Sequence, residues 1–136
     1  MGKLGLGLIG LAALASILVP VIVDWNDTHL FNEEWPPHAR LHDAMSFLMS
    51  MGLGAGALWL IATPWGRRGA GLALAALLSV WSWIALVAAG AMPGTAYVNA
   101  AEGAPVAIAG MPPNVIVSLV VIAAGLIGWA LAARAD

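Results

Sequence analysis

The sequence predicts an all-α polytopic membrane protein, four transmembrane helices in a bundle, and three observations predict it. Of the 136 residues, 62% are hydrophobic and only 9% charged, where an ordinary soluble domain carries about 25% charged residues. The apolar residues fall into four runs of the length, about 20 residues, that a helix needs to cross a hydrocarbon core about 30 Å thick. A chain this short can hide only part of its apolar surface in a core, so a mean hydropathy of +0.93 leaves an exterior whose natural solvent is lipid. The net charge of −2, without a basic run, excludes an electrostatic footprint for nucleic acid. The absence of cysteine excludes disulfides, thiolate metal sites and cysteine nucleophiles.

The first span covers Leu4 to Val23 without a charge. Lys3 before it and Ala13-Leu14-Ala15 within it have the look of a secretory signal, but the apolar run continues past Ala15, and cleavage there would leave Ser16 to Val23 as a greasy end. Pro20 is tolerable in a spanning helix when a neighbour satisfies the carbonyl it frees. The second span covers about 38–62, opened by Pro36-Pro37, where proline's missing N–H does no harm. Its apolar part begins at Ala44, and Gly52, Gly54 and Gly56 are expected to let helix backbones approach closely, within the subunit or between copies. The third span covers about 70–91 and the fourth about 113–133, so that 1–136 form a single integral membrane domain. Trp35, Trp65 and Trp129 fall near span ends, where indoles suit the membrane interface.

Orientation is set by the cations, which tend to stay in the cytoplasm. Lys3, Arg67-Arg68 and Arg134 fall on one side; Asp24, Asp27, Glu33, Glu34 and Glu102 fall on the other, with Arg40 the one basic residue near them. The expectation is a bacterial inner-membrane protein with both termini cytoplasmic.

Polar residues are scarce, so their clustering carries information. All three histidines and five of the seven acids lie between Asp24 and Asp43. His38 and His42 are four apart on one helix face, Asp43 is beside that line and Arg40 turned away from it. Ionisable groups at a membrane boundary are functional candidates by default. Asp27, Glu33 and Glu34 read as solvated, and Asp24 with Asn26, Thr28 and Asn32 as makers of Asx-type turns or shapers of a site. Histidines four apart suit a metal, since imidazoles on adjacent turns can point at one ion. A single histidine with Met45 and Met49 on the next turns equally suits axial ligation of a haem against an apolar wall. Ser79 and Ser82 read first as interhelical hydrogen-bonding groups and Asn114 as a helix cap. Tyr97 and Glu102 reach the histidine end only if their loop folds over it. The chain has no phosphate-cradling glycine loop, no GxSxG elbow and no HExxH.

The stretch from Trp35 to Met51, together with the order of the motifs C-terminal to it, resembles the bacterial styrene oxide isomerase family of small four-helix haem-binding membrane proteins. An acidic outer loop leads through Trp35 and Arg40-Leu41-His42 into span two. Arg67-Arg68 form a basic turn, Trp81-Ser82 stand in span three, and Pro112-Pro113-Asn114 open span four. The string from Trp35 to His42 is also similar to a group of bacterial membrane proteins that names no function. The resemblance implies a trimer binding haem b, with His42 as the axial iron ligand and His38, Arg40 and Asp43 nearby. It also implies isomerisation of a small hydrophobic epoxide to an aldehyde by ferric haem acting as Lewis acid. Arg40 is then the natural partner of a haem propionate. At the family's substrate pocket the chain departs, carrying Leu48 and Val87 where a polar residue and a tyrosine are expected. Catalytic residues stay unassigned.

Two other readings remain open. One is a non-haem zinc or iron enzyme using His29, His38 and His42 with a carboxylate. The other is a non-enzymatic scaffold or carrier whose histidines are interfacial. All three share membrane lipid and further copies of the chain as expected partners, and the enzyme readings add a small hydrophobic ligand.

Overall fold

The computed structural model describes residues 2–98 and 107–135. They form four helices, α1 (Gly2–Val23), α2 (Pro37–Ala62), α3 (Gly69–Ala89) and α4 (Pro113–Ala133), each long and apolar enough to cross a membrane. Among the described residues the β-structure is a single bridge between Ile108 and Met111, just before α4. Glu102 lies outside the described residues.

Each helix starts and stops for a local reason. Pro36 is extended at φ −59° and ψ 148°, and Pro37 occupies the first turn of α2, where a missing N–H costs nothing. At the other end of α2, Thr63 turns the chain out and its hydroxyl donates to the Leu60 carbonyl at 2.8 Å. A short 3₁₀ turn over Trp65–Arg67 brings the Arg67 guanidinium back to the open end of α2, where it donates to the Ile61 and Ala62 carbonyls at 2.7 and 3.3 Å. A cation there also complements the helix dipole. Gly69 adopts φ +47°, the left-handed conformation that glycine takes at least cost, just as α3 begins.

The helices alternate in direction. α1 packs against α4 and α2, α3 packs against α2 and α4, and α1 and α3 meet across the bundle's shorter diagonal. The lower core joins Ile9, Leu60, Leu72, Ala75, Ala76 and Ala132; above it lie Ala12, Val80, Trp83 and Val121. Outward, Leu4, Leu11, Leu18, Val120 and Ile127 are exposed, as suits a surface solvated by acyl chains. Small residues set the closest approaches. A Cβ on Gly54 would stand 2.5 Å from the Ala13 carbonyl oxygen and 2.8 Å from Ile17, so only glycine lets α2 approach α1 this closely. Gly52 and Gly56 do not share that role. Nothing lies within 4 Å of a Cβ at Gly52, and Gly56 meets only Leu78 at 3.5 Å, because the two point away from the α1 contact.

Where the packed core ends, a polar knot crosses three helices. Proline at position 20 removes the N–H that would have bonded the Ser16 carbonyl. Ser50 on α2 replaces it, its hydroxyl donating to that carbonyl at 2.9 Å. The Ser16 hydroxyl is buried, accepts the Trp83 indole N–H at 2.8 Å and lies 3.0 Å from the Ser79 carbonyl, to which it can donate. A spanning helix with an internal proline is thus held by a partner helix, as the bilayer requires. Ser79 contributes to this contact through its backbone, while its own hydroxyl bonds back to Ala76.

Candidate functional site

Above the knot the helices part and enclose a cavity of about 990 Å³, at the top of the range usual for small-molecule sites. Its walls come from Val19 and Val23 of α1, Met45, Met49 and Leu53 of α2, Trp81 and Leu86 of α3 and Val117 of α4. Ser50, Ser82 and Trp83 close its inner end. Met45, Met49 and Trp81 are also half exposed, so the cavity opens sideways toward lipid between α2 and α3. Its polar end is made by Asp24 and His29 from the α1–α2 connection, with Asn114 and Tyr97 beside them.

The connection is shaped by its asparagines. Asn26 accepts from the Thr28 backbone N–H at 2.8 Å, and Asn32 from that of Glu34 at 2.9 Å, two Asx turns that fold the segment over the helix ends. The Asn26 amide N–H donates to the Val23 carbonyl at 2.7 Å, which fixes its oxygen toward Thr28. The Thr28 hydroxyl lies 2.6 Å from that oxygen and 2.8 Å from His29 Nδ1. When the hydroxyl proton goes to Asn26, Nδ1 of His29 is the donor to Thr28, and Nε2 carries a free lone pair at neutral charge. That Nε2 stands 4.0 Å from an Asp24 carboxylate oxygen. The ring packs edge-on against Trp35, centroids 5.8 Å apart. Burial raises the Asp24 carboxyl above the ordinary value of 3.8; His29 acts against the rise and the nearby charge of Asp43 adds to it. Asp43 Oδ2 is buried and has no hydrogen-bond partner among the described residues.

The structure separates the sequence-predicted residues into two groups. Asp43 is close enough to Asp24 and His29 for their charges to interact. His38 and His42 are exposed at the start of α2 and face each other, Nε2 to Nε2, at 3.1 Å. They lie on the same side of α2 as Met45 and Met49, above the sideways opening. Arg40 leaves the helix on a different side from both, as residues two apart must. Among the described residues no three His, Asp or Glu side chains converge to hold a metal ion. The three-histidine zinc or iron set is therefore not assembled, because the Asx turns carry His29 to Asp24 while His38 and His42 pair with one another. Asp27, Glu33 and Glu34 are exposed.

One residue read otherwise in the sequence, Asn114, and one left conditional on its loop, Tyr97, belong here. Asn114 does not cap α4 across its first turn. Its amide donates to the Tyr97 carbonyl at 2.6 Å and, among the described residues, its oxygen accepts only the adjacent Val115 N–H. Tyr97 does fold over the end of the bundle, its hydroxyl donating to the Val87 carbonyl at 2.7 Å and its ring lying on Gly90. A glycine just after the apolar run of α3, with the single tyrosine seven residues on, was the available signal.

These features define a membrane-embedded four-helix bundle with a laterally open, polar-ended cavity. The chain belongs to a family of unknown function, DUF6640, whose model matches residues 8–135, from α1 to the end of α4. No curated protein matches it. No solved structure matches it either.

Proposed function

We propose that the protein binds a small, largely apolar molecule that enters from the bilayer between α2 and α3 and sets its polar atoms against Asp24 and His29. The observation that carries this is the cavity itself. An apolar chamber of about 990 Å³ ends at two ionisable side chains within a span-rich chain that has few of them. Ionisable groups at a membrane cavity mark binding or proton-handling sites, and convergent polar groups in an apolar pocket fix a ligand's orientation. The test is calorimetric titration of 2-phenylethanol into the full chain in phosphatidylcholine nanodiscs. Saturable binding that is lost in Ala85→Leu, which fills the chamber wall, supports the reading; only non-saturable partitioning, the same in both proteins, overturns it.

A second reading is favoured by the register of α2. His42 stands one turn above Met45 and Ser46, both in the cavity wall, so His42 is the residue that would hold a haem b at this end of the cavity. His42 would hold the iron, and the group would supply Lewis acidity toward a bound oxygen. His42 is exposed in the single subunit, so a second copy of the chain would have to complete the haem's enclosure, in keeping with an oligomer such as a trimer. Epoxide isomerisation is the activity to assay on that reading. Purification from haem-replete cells should then give a Soret band that shifts on reduction and disappears in His42→Ala. The location proposed is the bacterial inner membrane, with the end bearing Lys3, Arg67 and Arg134 in the cytoplasm.

A further inference from the structure

One face of α2 carries four nitrogen and sulfur donors in a row. At about 100° per residue, His38, His42, Met45 and Met49 fall within about 60° of one another around the helix axis, and all four are exposed. His38 and His42 bring their Nε2 atoms to 3.1 Å, the ring planes 86° apart. Two nitrogens at that separation, each about 2.0 Å from one ion, subtend about 100° at it, near the tetrahedral angle, so the pair already has the bite of a chelate. Met45 is the next residue along that face and is half exposed. A helical side chain leans over the turn N-terminal to its own Cα, which for Met45 is the turn of His42, and three rotatable bonds give its thioether reach. Asp43 and Arg40 stand at least about 100° away around the axis, and among the described residues no third His, Asp or Glu joins the pair.

We infer that His38, His42 and Met45 form a binding site for a monovalent copper ion near the start of α2. Two imidazoles and a thioether are neutral donors that offset none of a cation's charge, so a singly charged ion gives up less hydration free energy there than a doubly charged one. Thioether sulfur selects Cu(I) among the biological metals, and imidazole suits copper as well. Zinc finds two nitrogens on this face but no carboxylate or third imidazole to complete its shell, and calcium and magnesium require oxygen ligands. Of the three residues only Met45 also lines the cavity, so the copper site goes beyond the small-molecule reading and stands or falls apart from it. It excludes a haem at His42, because that Nε2 ligates one metal at a time.

The full chain, free of any histidine tag, is placed in phosphatidylcholine nanodiscs and titrated against the coloured Cu(I) complex of bicinchoninate, with ascorbate under argon and empty nanodiscs as the blank. The chain should withdraw one equivalent of Cu(I). His38→Ala and His42→Ala should each weaken that binding by at least about tenfold, and Met45→Leu, which keeps the volume and removes the sulfur, by about tenfold. The three side chains are exposed, so the variants should melt with the parent. Zn²⁺, titrated against a chromophoric zinc chelator, should bind the parent and Met45→Leu within about twofold of each other, since a thioether is not a zinc ligand. Cu(I) left with bicinchoninate, or withdrawn as well by His38→Ala and His42→Ala as by the parent, overturns the site. Cu(I) affinity unchanged in Met45→Leu, or zinc affinity weakened as much as that of copper, overturns the sulfur donor and with it the choice of Cu(I). A Soret band lost in His42→Ala assigns that nitrogen to haem and overturns the copper site as well.

Discussion

Asp24 ends its helix at the boundary where water gives way to hydrocarbon, and its carboxyl responds to that position. Burial raises its proton affinity above the ordinary 3.8, and Asp43 adds to the rise while His29 opposes it. A carboxyl raised on folding binds its proton more readily in the folded state. The stability it contributes is therefore full below the ordinary value and is lost as pH rises through the folded value. Asp24→Asn removes that loss. The variant's melting temperature in detergent should exceed the parent's at neutral pH, and the difference should shrink as pH falls through the raised folded value to the ordinary one. A difference constant across that range would contradict the assignment. Ser16 is the second residue on which much depends, since it receives the Trp83 N–H and lies within reach of Ser79 and Ser82. Interhelical hydrogen bonds in membranes average about 0.6 kcal/mol, but Ser16→Ala also leaves a buried indole N–H unmatched, so a loss of about 1–2 kcal/mol is expected. Reversible unfolding in mixed micelles measures it, and blue-shifted Trp83 emission should accompany it.

At the scale of elements, the contact between α1 and α2 is the one set most tightly by sequence. Gly54→Ala places a methyl 2.5 Å from the Ala13 carbonyl oxygen, whereas at Gly52 the same methyl meets nothing. Gly54→Ala should therefore cost about 1–3 kcal/mol, and Gly52→Ala should stay within about 0.5 kcal/mol of the parent. Equal effects would mean that the helices do not cross there. The three glycines look equivalent in the sequence, and periodicity alone could not separate them, because the facing helix decides which one is pressed. The α1–α2 connection behaves in the same way. Its acids, asparagines and histidines were legible as a cluster, and the Asx turns at Asn26 and Asn32 are expected from residue type. That His29 turns toward Asp24, apart from His38 and His42, was not legible, since it depends on the path those turns impose. The pairing of His38 with His42 did follow from their spacing of four.

At the scale of the whole molecule, the four spans were legible to within two residues at most ends, because length and hydropathy are the signals that a bilayer reads. The cavity was not. It forms where α1, α2, α3 and α4 part above the Ser16–Trp83 knot, and the separation of helices is a tertiary property with no mark in any one segment. The charge distribution by end predicts sidedness. Lys3, Arg67, Arg68 and Arg134 share one end of the bundle, so a cytoplasm-active reporter fused after Asp136 should be active and a periplasm-active one silent. Swapped activities would reverse the orientation.

If the chamber above the knot is occupied by small apolar molecules from the bilayer, a photoreactive mimic of them should mark its walls. Photolabelling the full chain in lipid with a diazirine-bearing alkylbenzene, with peptide mapping of the product, tests this most directly. Saturable labels are expected on Met45, Met49, Leu53 and Val117, competed away by unlabelled 2-phenylethanol and reduced in Ala85→Leu. Labels spread evenly over the exposed faces at Leu11, Leu18, Val120 and Ile127, with no competition, would contradict occupancy of the chamber.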